Sequence, residues 1–215
     1  RQSTFVRREI YLNLLDDVKI MSFDHKITDL KFHINKLVPK DVCQYFINFY
    51  ENNNQHSKPE TSYKYKTKKK EEDNYGCINL TALYVKDKTF EEPLNVAKKY
   101  ISIMLTNYEL YMKNNLCPTF DITNISKTSN IRILKYKKGD YIKDHIDYDG
   151  TIRAACTLNL NEDYEGGEFR FFDGQVKHSF KTGDAMLFPA EPIWIHGTEP
   201  VTKGIRYSIN CFLHQ

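Results

Sequence analysis

The first half of the chain carries two helical patterns of apolar residues. In the first, apolar residues recur at three- and four-residue spacing behind Pro39, and they are Val42, Tyr45, Phe46 and Phe49. In the second, one apolar face extends to about residue 114, through Leu94, Ala97, Ile101, Met104, Leu105, Tyr108 and Tyr111. Thr89 and Glu92 predict a capping box at its start, with Pro93 in the first turn. The pattern predicts two helices that each pack one face against a core.

After Cys117 and Pro118 the pattern changes to short apolar segments separated by turn residues. The segments are residues 131–136, 141–146, 154–160, 167–172, 178–180, 185–189, 194–196 and 205–213. Glycine-containing turns such as Asp149-Gly150 and Lys203-Gly204 separate them. About eight short strands at this spacing predict a sandwich or barrel, including the jelly roll.

The polar segment 52–74 interrupts this layout between the two helices. It carries a cluster of five lysines, Lys64, Lys66, Lys68, Lys69 and Lys70, followed by the acids Glu71, Glu72 and Asp73. The lysines could form a basic patch for nucleic acid or an acidic peptide. The neighbouring acids favour a solvated loop instead.

Composition narrows the class of protein. The chain has 215 residues, 40% apolar and 13% aromatic, which suffices for one domain with a real core. A net charge of +3 does not demand a nucleic-acid partner, and no apolar run reaches the roughly 18 to 20 residues of a membrane span. The five scattered cysteines and the absence of a signal-peptide pattern indicate reduced thiols in an intracellular, cytoplasmic protein. Because the chain begins at Arg1, the question of a removed leader sequence stays open.

His145-Ile146-Asp147 lies at the end of a predicted strand, where residues two apart face the same side. The imidazole and the carboxylate are therefore expected to project into one space, and His196 supplies a third candidate ligand. Two histidines and one carboxylate form the facial triad of non-haem iron(II) oxygenases, which leaves positions open for substrates. A lone histidine is more often structural, and that interpretation is kept for the other five, His25, His33, His56, His178 and His214.

Arg206 follows His196 by ten positions, with Ser208 two residues further on. The planar guanidinium suits a bidentate grip on a carboxylate, and an oxygenase that uses 2-oxoglutarate needs such a group far from the metal. The joint pattern of His-x-Asp, a distant His and Arg-x-Ser in a β-rich half is hard to obtain by chance.

These residues resemble the prolyl 4-hydroxylase-like branch of the iron(II)/2-oxoglutarate oxygenases. The resemblance runs over roughly residues 34–213 and is specific from Ile131 onward, in the stretches 134–139, 145–147, 165–168, 183–189 and 196–206. It implies an α+β fold in which N-terminal helices pack on a double-stranded β-helix, or jelly-roll, core. The implied boundaries are an extension over 1–33 and an oxygenase domain over 34–215, helical to about 117 and jelly-roll from about 118.

The resemblance also implies roles for single residues. His145, Asp147 and His196 would be the iron(II) ligands, and Arg206 would bind the co-substrate 2-oxoglutarate. Help is expected from the Tyr136 hydroxyl, from Ser208 and, more weakly, from Asn159, and ascorbate is expected as the reductant. Two departures weaken the branch assignment: collagen-type relatives usually carry lysine where this chain has Arg206, and Tyr141 lies four residues before His145 where a family tyrosine lies at three.

The implied activity is dioxygen-dependent hydroxylation of prolyl residues in a peptide or protein, with release of succinate and carbon dioxide. Alternative substrates are lysyl residues, a nucleobase or a small metabolite, although the spacing of arginines after His196 differs from that of nucleic-acid demethylases. A catalytically inactive jelly-roll binding module is the third hypothesis. We expect no membrane association and no nucleic-acid partner, and the oligomeric state stays open.

Overall fold

The computed structural model describes residues 26–64, 69–120, 125 and 127–215, with the backbone alone for 61–64 and 69–72. Most of the predicted 1–33 extension lies outside these residues. The helices are α1 (Lys40–Asn52), α2 (Leu80–Lys86) and α3 (Glu91–Asn115). Short 3-10 turns cover Ile27–Leu30, Asn54–His56 and Lys88–Phe90. Within the described part, no helix has both the length and the apolar character needed to cross a bilayer.

The strands of the described residues form one large antiparallel sheet and two small ones. They are β1 (Phe32–Ile34), β2 (Lys58–Lys64), β3 (Lys69–Asn79), β4 (Lys127–Tyr136), β5 (Ile152–Asn159), β6 (Glu165–Gly166), β7 (Phe169–Phe171), β8 (Val176–His178), β9 (Ala185–Pro189), β10 (His196–Thr198), β11 (Val201–Lys203) and β12 (Arg206–His214). The large sheet has the order β1-β9-β5-β12-β4-β3-β2. The small sheets are β10-β7-β8 and β11-β6.

Both predicted helices are confirmed as α1 and α3, but the predicted capping box is wrong. Phe90 occupies the N-cap position of α3 without a side-chain hydrogen bond. Asp87 instead accepts a hydrogen bond from the Thr89 backbone and opens the 3-10 turn that precedes α3. Helix α2 was not predicted, because seven residues are too few to show a helical period.

Four predicted strands are confirmed as β4, β5, β9 and β12, and three are shifted or shortened as β7, β8 and β10. The predicted strand 141–146 is wrong. Apart from an isolated bridge at His145, this segment does not pair along a neighbouring strand. Its backbone instead makes isolated hydrogen bonds to β10: the Ile142 N–H donates to the Thr198 hydroxyl at 2.8 Å, and the Ile142 carbonyl accepts from the Thr198 N–H at 2.9 Å.

The expectation of a solvated loop over 52–74 is also wrong. β2 and β3 pair as a hairpin from Lys58↔Cys77 to Lys64↔Lys69, and β3 extends the large sheet by pairing with β4. A hairpin at the edge of an antiparallel sheet can expose one face to water, so it does not need an apolar run. Three strands of the large sheet thus precede residue 118, and the proposed domain boundaries stay a prediction.

Side chains along β12 alternate between the two faces of the large sheet, and each face packs against a different hydrophobic cluster. Tyr207, Ile209, Cys211 and Leu213 join the cluster formed with the helices. On the opposite face, Phe212 packs against a second cluster with residues of β5, β7 and β9, among them Phe169, Phe171 and Phe188. Helices therefore cover one face of the large sheet, and the small sheets cover the other. This is the predicted jelly roll with packing helices.

All five cysteines are free, which agrees with the expected thiols. Cys156 and Cys211 are cross-strand neighbours on β5 and β12, and both are buried.

Two half-buried histidines outside the predicted site are in ring contact. The rings of His33 and His178 lie 4.3 Å apart. Nε2 of His178 is buried without a hydrogen-bond partner among the described residues, whereas Nε2 of His33 lies 3.5 Å from Asp184 Oδ2. Burial, and then the proximity of His33, lower the pKa of His178 to about 4. Burial also lowers the pKa of His33, against the opposing effect of Asp184.

We predict that this pair makes the fold sensitive to mild acid. Because the folded pKa of His178 lies below the unfolded value of about 6.5, the unfolded chain binds the proton first. The stabilisation is complete above about pH 6.5 and is lost as the pH falls towards 4. Thermal unfolding between pH 7 and 4.5 should show a smaller decline in Tm for His178→Phe than for the wild type. Equal declines would contradict the assignment.

Candidate metal centre and co-substrate pocket

The structure brings the three predicted metal ligands together. Asp147 lies between the two imidazoles, with Oδ1 3.1 Å from Nε2 of His145 and Oδ2 3.3 Å from Nε2 of His196. One ligand atom from each residue lies within 4.8 Å of the others. The predicted convergence is present, although the strand that was expected to produce it is not.

A two-residue bridge takes the place of that strand. The backbones of His145 and His196 exchange hydrogen bonds of 2.9 Å in each direction. Gly197 lets the two segments approach, because a Cβ atom there would lie 2.7 Å from the Ile142 carbonyl and from Asp144 Oδ1. Any larger residue at this position would push the two histidines apart.

Backbone carbonyls orient both imidazoles. Nδ1 of His145 lies 2.9 Å from the Lys143 carbonyl, and Nδ1 of His196 lies 2.9 Å from the Trp194 carbonyl. A carbonyl only accepts, so each Nδ1 carries the hydrogen. Nε2 of each ring therefore faces the shared centre, which is the arrangement that metal-binding histidines use.

The Asp147 carboxyl is poised as an anion. Burial alone would favour the neutral acid, but the proximity of His196 and His145 holds the pKa of Asp147 well below its usual range. The same contact raises the pKa of His145, although burial opposes it. The site thus offers two nitrogen donors and one carboxylate, the donor set of the facial triad.

An ion pair holds the irregular segment that carries His145. The Arg170 guanidinium grips Asp144 with two hydrogen bonds of 2.9 and 3.0 Å. Arg170 of β7 lies opposite Gly197 of β10, and its guanidinium also contacts the Glu199 carboxylate at 3.3 Å. The pair therefore ties the loop before His145 to the small sheet that carries His196.

Arg206 is buried in the next layer of the same interior face. Its Nε donates to Asn159 Oδ1 at 3.3 Å, and its guanidinium carbon lies 5.0 Å from the centre of the Tyr136 ring. No carboxylate of the described residues pairs with it. The Tyr136 hydroxyl is buried without a hydrogen-bond partner among those residues, and burial raises the pKa of this hydroxyl, so it stays protonated. A buried cation and a buried donor thus lie side by side in the interior, and no carboxylate of the described residues balances the charge of the cation.

Two further residues lie close to Arg206 and its partner Asn159. Gly167 adopts φ +71°, and a Cβ atom there would lie 3.2 Å from Cδ of Arg206. The hydroxyl of Tyr164, which the sequence analysis missed, donates to Asn159 Oδ1 at 3.3 Å. Ser208 is buried but donates to Asn210 Oδ1 at 3.1 Å, so its expected role beside Arg206 stays a prediction.

The open cavity at the triad does not reach Arg206. It is lined by the three ligands and, among others, by Leu134, Thr157, Phe169, Phe188, Asn210 and Phe212. Leu134 lies opposite Ser208 on the paired strands, between the cavity and the Arg206 layer. A ligand that spans from the metal centre to Arg206 must therefore displace side chains of this layer. Tyr141 is not among the lining residues.

The cavity wall also includes Glu60, Tyr75 and Arg132, which the sequence analysis did not select. Glu60 and Tyr75 come from β2 and β3, which the polar pattern did not predict, whereas Arg132 comes from β4.

Comparison with known proteins agrees with this geometry. Residues 131–214 match the model of the 2OG-Fe(II) oxygenase superfamily. A PKHD-type hydroxylase of Herminiimonas arsenicoxydans is 35% identical over 88 residues, which cover 34% of this chain and 37% of the relative. A second from Idiomarina loihiensis is 29% identical over 92 residues, which cover 39% of this chain and 41% of the relative. The chain thus spans only about two fifths of these curated relatives.

Solved structures extend the likeness to the fold of almost the whole chain. A prolyl hydroxylase from Trichoplax adhaerens, in complex with a hypoxia inducible factor peptide fragment, matches with a TM-score of 0.63 at 14% identity, covering 99% of this chain and 94% of that one. A Pseudomonas putida prolyl-4-hydroxylase matches with a TM-score of 0.59 at 16% identity, covering 88% and 96%. Residues 131–214 thus match the 2OG-Fe(II) oxygenase superfamily, part of the chain is similar in sequence to PKHD-type hydroxylases, and the fold is similar to that of prolyl hydroxylases.

Proposed function

We propose that this chain is an iron(II)- and 2-oxoglutarate-dependent dioxygenase that hydroxylates prolyl residues in a peptide or protein. The observation that carries the proposal is the cluster of His145, Asp147 and His196, with ligand atoms within 4.8 Å and no second cluster of this kind in the described part of the chain. Iron(II) bound there would supply the activation of dioxygen, with release of succinate and carbon dioxide.

The residues of this chain have distinct tasks in the proposed reaction. His145 and His196 offer Nε2 and Asp147 offers a carboxylate oxygen, on one side of the metal. Arg206 would neutralise the distal carboxylate of 2-oxoglutarate, and the Tyr136 hydroxyl would donate to the same ligand. Because this pocket is buried, water would compete poorly for either donor.

The names of the relatives support the prolyl substrate class. Hydroxylation of lysyl residues, a nucleobase or a metabolite stays an alternative outcome of the test. The free thiols fit a reducing intracellular compartment, and ascorbate would serve as the reductant that keeps iron in the ferrous state.

The experiment measures succinate formation from 2-oxoglutarate with iron(II) and ascorbate, with and without a panel of proline-containing peptides. Stimulated turnover and a mass gain of one oxygen on proline would support the full proposal. Turnover that no peptide stimulates would limit the function to an oxygenase on another substrate. A protein that neither binds iron(II) nor forms succinate would contradict the enzyme assignment.

We predict that Asp147→Ala abolishes turnover because it removes the only anionic ligand of the cluster. Loss of a supporting residue costs about 10- to 100-fold in metal affinity, so loss of a ligand should cost more. The single tryptophan, Trp194, lies two residues from His196 and offers a fluorescence signal for iron(II) titration under nitrogen. Unchanged iron affinity in Asp147→Ala would contradict the ligand assignment.

Arg206→Met should weaken 2-oxoglutarate binding without changing iron affinity. A charged hydrogen bond contributes about 1.5 to 3 kcal/mol, so the KM for 2-oxoglutarate should rise about 10- to 100-fold. Arg206→Lys keeps the charge but loses the planar fork, and an intermediate KM is expected. The KM for 2-oxoglutarate and the iron titration are measured on the same preparations. An unaltered KM in Arg206→Met would count against this role.

A further inference from the structure

A second buried guanidinium lines the metal cavity. Arg132 is 8% exposed, forms an ion pair with Glu60, and places its guanidinium carbon 4.5 Å from the ring centre of Phe212. Its Nε atom is buried without a hydrogen-bond partner among the described residues. Burying a charged donor without satisfying it is costly, so this group calls for an acceptor.

The partner of Arg132 is fully engaged. Glu60 Oε1 pairs with Arg132, and Oε2 accepts a hydrogen bond from the Tyr75 hydroxyl at 3.0 Å. The carboxylate balances the guanidinium charge and fixes one side of it. Arg132 lines the cavity, so the N–H groups that Glu60 does not occupy lie in the cavity wall with their charge already balanced.

Asn210 adds a second donor at the same level. It lies directly opposite Arg132 where β12 pairs with β4. Its Oδ1 accepts hydrogen bonds from the Thr157 and Ser208 hydroxyls at 3.0 and 3.1 Å. With the oxygen occupied twice, the amide nitrogen is the free end of this side chain, and Asn210 lines the cavity.

We infer that Arg132 and Asn210 form a subsite that binds a neutral carbonyl oxygen of the substrate, next to the metal centre. An amide carbonyl fits donors whose charge Glu60 already balances, whereas a carboxylate there would place a second anion beside Glu60. Arg132 differs in this respect from Arg206, whose charge no carboxylate of the described residues balances. The inference rests on the proposed function, and it makes Arg132 a binding residue for the peptide and Glu60 a positioning residue for Arg132.

The test uses a double variant, Arg132→Met with Glu60→Gln, so that no unpaired charge is left in the cavity. A peptide that stimulates wild-type turnover is used, with poly-L-proline as the first probe. Peptide affinity is measured by calorimetry under nitrogen with iron(II) and 2-oxoglutarate present. The KM values for peptide and for 2-oxoglutarate are measured separately in the aerobic assay. We expect peptide affinity to fall about tenfold, as for loss of one charged hydrogen bond.

Two readouts separate this role from a structural one. The KM for 2-oxoglutarate and the iron affinity reported by Trp194 should stay within about twofold of the wild type, because the double variant leaves Arg206 and the three metal ligands in place. The matched control is the exposed ion pair Lys203–Glu165, removed as Lys203→Met with Glu165→Gln, which should leave both KM values unchanged. Arg132→Lys keeps the charge with less disturbance of the fold and should give an intermediate loss of peptide affinity.

Other outcomes would overturn the inference. A raised KM for 2-oxoglutarate with unchanged peptide affinity would assign these donors to the co-substrate. Unchanged peptide affinity and unchanged KM values for peptide and 2-oxoglutarate, in the double variant and in Arg132→Lys, would mean that the ion pair has a structural role alone. If no peptide stimulates the wild type, the prolyl substrate of the proposed function fails, and the carbonyl subsite fails with it. If peptides do stimulate the wild type, the variants test the subsite alone.

Discussion

The exchange of backbone hydrogen bonds between His145 and His196 is the constraint on which the metal centre depends. His145 lies in a segment that lacks a strand ladder, so its position is not set by neighbouring residues of a sheet. The bridge fixes it against β10, and Gly197 allows the approach that the bridge requires. Arg170 then ties Asp144 to the same small sheet. Two histidines that are distant in sequence thereby meet with both Nε2 atoms on one side, and Asp147 completes the set.

The alternation of β12 explains why polar residues lie inside this fold. One face of the strand supplies apolar groups to the core beneath the helices, and the other turns Arg206, Ser208 and Asn210 towards the small sheets. A buried polar side chain is costly unless it is paired. Asn210 accepts hydrogen bonds from two hydroxyls, whereas the contacts of Arg206 within the described residues are the Asn159 amide oxygen and the Tyr136 ring. The unbalanced residue is therefore the one with spare capacity for an anionic ligand.

The convergence of His145, Asp147 and His196 was predictable from the sequence, but the expected strand that was to produce it is absent. Histidine and aspartate at this spacing indicate a metal site because the chemistry restricts residue types, whatever the backbone does between them, and their role as ligands stays a prediction. Regular features such as β9 and α3 were predictable because their apolar period matches their geometry. The burial of Arg132 was not predictable, because a single arginine in a strand resembles a surface residue. Its burial depends on Glu60, which comes from a hairpin whose polar sequence indicated a loop.

The two buried arginines of the interior face differ in what balances their charge, and this difference separates their roles. Arg132 has Glu60 beside it, so a further carboxylate would gain little from its charge and would meet repulsion from Glu60. Arg206 has no such partner among the described residues, so a carboxylate would gain the full attraction in a buried setting. The layers along β4 and β12 also differ, since Arg206 lies opposite Tyr136 and Arg132 lies opposite Asn210. In the proposed function, a dicarboxylate would therefore pair with Arg206 and a neutral peptide with Arg132, because the charge balance of each guanidinium suits that ligand.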